Sequence, residues 1–202
     1  MANENSTCRV CIQAKKVFDA CMRQTTNEEI TVVVTSVDDS AVEPLTFISG
    51  RSVSSQGVVS NLSVERLPDR PQYGRVRCDV TIPVQITYYD ATNAIFTGVG
   101  SVTLAEDVVM FLPEASVIPY EVEATVSLVC PQGRAGETSV VSGERRHEFI
   151  VITCNTVILK IVANADIIVP TYGYAVIPPA QDYANTECSR FFEMPLFPQS
   201  QT

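Results

Sequence analysis

Charge is scarce in this chain. Only 18% of its 202 residues are Asp, Glu, Lys or Arg, against roughly 25% in ordinary soluble domains. Three are lysines, Lys15, Lys16 and Lys160. The formal net charge is −9, and the basic pairs Lys15-Lys16 and Arg145-Arg146 are too sparse to outweigh it. Such a chain repels a phosphate backbone, so no nucleic-acid partner is expected.

Chemistry-bearing side chains are also few. His147 is the only histidine; it stands in "GERRHEF" without a nucleophile motif and reads as a surface residue at a strand end. No G-x-S-x-G, P-loop or dinucleotide fingerprint occurs. Glu106-Asp107 and Glu121/Glu123 are paired carboxylates, but the latter two share one strand face as solvated positions rather than an acid/base pair, and Asp38-Asp39 reads as a turn. The expectation is no enzyme, no catalytic residue and no cofactor.

Cys8-x-x-Cys11 could be half of a zinc site, but structural zinc takes four ligands, and Cys78, Cys130, Cys154 and Cys188 are isolated. A thioredoxin-like use would need the motif between a buried strand and a helix, and only short polar sequence precedes it. No metal is expected.

Long apolar runs that could cross a bilayer are missing too. The most hydrophobic window, Phe149 to Pro170, contains Asn155, Lys160, Asn164 and Asp166, each costing kilocalories in hydrocarbon; it reads as strands, with no membrane span. The polar start MANENSTCRV lacks the n-region and apolar core of a signal peptide, so synthesis in a reducing cytoplasm is expected, with the seven cysteines beginning as thiols.

What is present is mostly β pattern. In "VRCDVTIPVQITYY", Val76, Cys78, Val80, Ile82, Val84, Ile86 and Tyr88 alternate with polar residues, the period of a half-buried strand. Pro83 cannot donate to a ladder, which predicts an edge, a bend or a bulge there. "DATNA" (90–94) predicts a turn, followed by strands at Ile95–Val102 and near Asp107–Phe111. The alternation resumes from Tyr120 to Cys130 and stops at "PQGRAGETS" (131–139), a loop by its Pro and Gly. Strands near Glu148–Thr153 and Thr156–Ala163, joined at Cys154-Asn155, precede Asp166–Val169 and Tyr172–Ile177. Val32, Leu45–Ile48 and Gly57–Val64 are weaker candidates.

One stretch departs from this period. Val10, Ala14, Val17 and Cys21 follow i, i+4, i+7, i+11, with Phe18 and Cys11 widening the stripe, which predicts an amphipathic helix over 8–24. Its packing face would be Val10, Ala14, Val17 and Phe18. The expected fold is therefore mainly β, an antiparallel β-sandwich or barrel-like domain with one short N-terminal helix. The expected divisions are a Cys-containing helix (1–25), a β domain (26–180) and a C-terminal tail (181–202). Cys21, Cys78 and Cys130 fall on apolar phases and are candidate core thiols. Cys8, Cys11 and Cys188 sit in polar surroundings near the ends and are candidates for cross-links between subunits.

Four blocks in order, "VERLPDRP" (64–71), "RVRCDVTIPVQITYYDATNA" (75–94), "VIPYEVEATVSLVCPQG" (117–133) and "CNTVILKIVANADIIVPTYGYAVIPPAQDY" (154–183), resemble clostridial spore-surface proteins carrying the β-rich domain sometimes called SPOCS. The opening "CIQAKKVFDACMRQ" also resembles the N-terminal segment of such chains. Members often have "YGYC" where this chain has Ala175. The resemblance implies synthesis in the mother cell, deposition on the spore surface, and thiols that meet oxidant only after that cell lyses. It implies a structural, self-assembling subunit of a spore outer layer (coat, exosporium or appendage), disulfide-reinforced, whose partners are copies of itself and other spore-coat proteins. The alternative is a non-polymerising adaptor of the coat.

Overall fold

The computed structural model describes residues 8–36, 40–141 and 144–171. These form seven strands, β1 (Cys8–Ser36), β2 (Thr46–Ser52), β3 (Gln56–Leu67), β4 (Arg70–Tyr89), β5 (Ile95–Phe111), β6 (Glu121–Val141) and β7 (Glu144–Thr171). Residues 15–165 make one compact unit; 1–14 and 166–202 make a second, described only as the outer ends of β1 and β7.

All seven strands belong to one sheet, in the order β2-β4-β3-β6-β7-β1-β5, with β2 also beside β6 and β4 beside β5. Every register assigned among them is antiparallel. The pairings return to their start: β4 is followed by β2 and β3, then β6, β7, β1 and β5, which pairs with β4 again. The inward phase fills one core. Its largest contribution is the alternating set on β4, from Val76 to Tyr88, of which Cys78 is the most exposed at 4%. Val126 and Leu128 on β6, and Val157, Leu159 and Ile161 on β7, face it.

Pro83 lies on neither an edge nor a bulge. On one side β4 is paired with β5 without a break from Tyr73 to Tyr89, Pro83 opposite Ser101. On the other side β3 ends its pairing at Thr81 and β2 begins at Val84. The Pro83 carbonyl accepts from the Val53 amide at 3.0 Å, so the missing N–H falls where one partner strand replaces another. The 90–94 turn is tied by Asp90, whose carboxylate accepts from the Thr92 and Ala94 amides, the Thr92 hydroxyl and the Val42 amide. These donors, the Thr92 hydroxyl foremost, hold its pKa below the usual carboxylate value.

Three expectations fail. The helix over 8–24 is instead part of β1, which runs unbroken through the boundary at residue 25. Val10, Ala14 and Phe18 are four apart, and that spacing satisfies both a helical stripe and one face of a strand. Val17 and Cys21 fall on the other parity, and Val17 is 51% exposed while Cys21 packs against the core. The 131–139 loop is instead β6. Pro131 lies where the β6–β7 register shifts, between Val129 and Gln132, and Gly136 lies in a second shift between Ala135 and Thr138, sites where a missing donor and a missing side chain are tolerated. The break at Cys154-Asn155 does not occur, because β6 pairs with β7 across it. The 181–202 tail and the Tyr172–Ile177 strand lie outside the described residues.

Candidate functional site

The residues singled out above divide into an inner group and an outer one. Inside, Cys78 on β4 and Glu106 on β5 are register partners, both buried. Arg23 on β1 reaches Glu106 at 3.3 Å and donates to the Asp107 carbonyl at 2.9 Å. Asp19, also on β1, accepts from the Phe111 amide at 2.7 Å. Side chains of β1 thus satisfy backbone groups along the edge of β5, beyond the two residues where the strands pair directly, Thr35 with Val99 and Ser36 with Gly98. Burial pushes the Glu106 carboxyl up, and Arg23 opposes that only in part.

The candidate core thiols share this interior. Cys130 is 2% exposed and Cys78 belongs to the same cluster, with Cys21 half-buried against it. Burial raises all three thiol pKa values, Cys130 to about 11, with nearby carboxylates adding to the shift for Cys21 and Cys78. Such thiols stay protonated near neutral pH and are poor nucleophiles and poor ligands. Among the described residues, no group of three or more His, Cys, Asp or Glu is placed to hold a metal.

The sole histidine is not at the surface. His147 is fully buried, its Nδ1 3.0 Å from the Thr138 hydroxyl and its ring edge-on to Tyr88 with centroids 5.8 Å apart. It shares the inward phase of β7 with Phe149 and Val151, which the surface reading overlooked by starting the strand one residue later. Glu123 is ion-paired with Lys15, and Asp107 with Arg75, 2.7 Å from its Nε. Asp38-Asp39 lies outside the described residues.

Outside, Cys11 and Cys154 carry exposed free thiols. The side chain of Cys8 and all of Cys188 lie outside the described residues. Cys154 had not been picked out as a reachable thiol. Its signal was the parity of Val157, Leu159 and Ile161, which carries through Asn155 and Thr153 and turns Cys154 outward once β7 is one strand. It borders a shallow cleft with Gln24, Ser127 and Thr156. Of the proposed helix face, Val10 and Ala14 are half-buried and Val17 is exposed. Phe18 packs against the core, with Lys16 over its ring at 4.7 Å. Phe18 also lines a groove of about 880 Å³ with Pro71, Phe111, Leu112 and Pro113.

Comparison with known protein families, with curated proteins and with solved structures finds no match. Among the described residues no helix is long and apolar enough to cross a membrane.

The two groups of thiols should separate in reactivity. With a bulky alkylating reagent at neutral pH and peptide mapping by mass spectrometry, Cys11 and Cys154 should be modified first, and Cys78 and Cys130 only on unfolding. Equal rates at Cys78 and Cys154 would show that the inward phase of β4 is wrongly assigned, since a slip of one residue exchanges the faces.

Proposed function

We propose that this chain is a structural, self-assembling subunit of a bacterial spore's outer layer, a barrel-like β body that associates with copies of itself. The resemblance of most of residues 8–183 to spore-surface proteins supplies the setting. The observation that carries the self-assembly is the set of apolar side chains turned outward from the sheet, including Val58, Ile95, Val99 and Val109 at 47% to 64% exposure. Nothing in the described chain covers them, and a surface with so few charges does little to keep copies apart. The exposed thiols Cys11 and Cys154 suit cross-linking after assembly, with Cys8 and Cys188 as further candidates.

Purified protein should form ordered multimers without nucleotide or metal, visible by negative-stain microscopy and strengthened by oxidation. A sample that stays monomeric by light scattering at high concentration, reduced and oxidised alike, would overturn this reading. The groove bounded by Phe18, Phe111 and Pro113 favours the second reading, a coat adaptor that holds an apolar segment of another protein; an adaptor would be monomeric alone.

A further inference from the structure

The outward face of β4 and β5 differs from the rest of the surface in having no charge across a wide area. Five consecutive cross-strand pairs, from Thr81 opposite Thr103 to Tyr89 opposite Ile95, contain no Asp, Glu, Lys or Arg. The Thr81 and Thr103 hydroxyls lie 3.0 Å apart, and Gln85 faces Val99 at the centre. The face continues on one side through Thr35 of β1, opposite Val99, and on the other through Val58 of β3, opposite Thr81. Among the described residues its single charge is Arg51 of β2, beside Gln85 at the margin. Charges resume one row beyond Thr81 at Asp79, and the next row pairs Arg77 with Asp107.

Three physical properties suit this face to a second copy of the same chain. Copies that each carry net charge −9 repel, and the penalty is least where neither partner presents a carboxylate. Short Thr, Ser and Val side chains lose little rotamer freedom on burial, unlike Lys or Glu. Gln85, Tyr89 and Ile95 stand above these rows. A twisted sheet that pairs back on itself is convex outside, so the closest approach of two such faces is along the middle β4–β5 rows. Nine residues along β4 span about 30 Å and four neighbouring strands about 19 Å. The resulting ~600 Å² in projection is of the order of the ~800 Å² per partner in stable interfaces.

On the strength of the self-assembly reading, we infer that the β4–β5 outer face is the primary contact between copies, packing face to face on its own counterpart about a twofold axis. Such a contact is isologous, each residue near the axis meeting its own equivalent. Ser101, exposed and opposite Pro83 one row from the central Gln85–Val99 pair, lies close enough to the axis to report on it.

The test uses the full chain with Ser101→Glu and Ser101→Lys, compared by sedimentation equilibrium, with circular dichroism to verify folding. Each variant alone should dimerise about tenfold more weakly or worse, because like charges face each other, and an equimolar mixture of the two should regain association. Ser127→Glu, the same charge added at an exposed position on β6, should associate as the parent does. If the parent associates and the Ser101 variants match it, or if Ser127→Glu weakens association equally, this face is not the contact, although self-assembly stands. A parent chain that is monomeric at every concentration overturns both, leaving the face to a partner of different sequence.

Discussion

Phe149→Ala is expected to lower the unfolding free energy by about 3–5 kcal/mol, the range for truncating a buried aromatic ring. Phe149 is fully buried, with ring centroids 5.1 Å from Tyr88 and 6.2 Å from Phe47. Tyr88 in turn stacks on Phe96 at 5.9 Å. The ring therefore touches side chains from β2 and β4, and removing it opens a void that paired strands cannot collapse to fill. Against a typical total of about 5–15 kcal/mol, that loss is a large fraction. Urea denaturation at neutral pH measures it, and a loss under about 1 kcal/mol would mean that the aromatic cluster is not packed as described.

Gly100→Val should release one strand rather than loosen the whole core. A Cβ at Gly100 would lie 2.4 Å from the Val33 carbonyl oxygen and 2.9 Å from Val32, and one at Gly98 would lie 2.8 Å from Val34. These two glycines let β1 lie close enough to β5 to pair. Displacing β1 would expose Val32 and Val34, both fully buried, at about 1.5–3 kcal/mol each. Hydrogen exchange should show lost protection in residues 30–36, while amides shared by β4 and β5 keep most of theirs. Unchanged protection in β1 would show that the strand does not depend on those glycines.

The mainly β class was legible because β4 offers seven alternating apolar positions in one run, more than any helical pattern could mimic. Its inward set, and so the burial of Cys78, follows from parity alone. β1 was not legible, since its apolar residues mostly sit four apart and its exposed Val17 looked like part of a stripe. β6 and β7 were cut short by Pro131, Gly133, Gly136 and Asn155, residues that normally end a strand and here sit at register shifts or face inward. That cut hid the exposure of Cys154. The role of Gly98 and Gly100 depends on which strand crosses them, a relation between residues far apart that no local pattern encodes. The charge-free face was invisible for the same reason: its rows combine residues from separate strands, each an unremarkable Thr, Ser or Val.

The placing of β1 beside both β5 and β7 sets a schedule for synthesis. Gln24 on β1 donates to Thr156 on β7 across 132 positions of sequence. At about 5–20 residues per second, the first strand to leave the ribosome waits roughly 7–26 seconds for that neighbour. During this interval the apolar side chains of β1 have no finished core to enter, and its unpaired amides could be satisfied by the β5 or β7 of another nascent chain. Crowded polysomes would then favour strand exchange between neighbours, and slower production of the recombinant protein should raise the yield of correctly closed monomer.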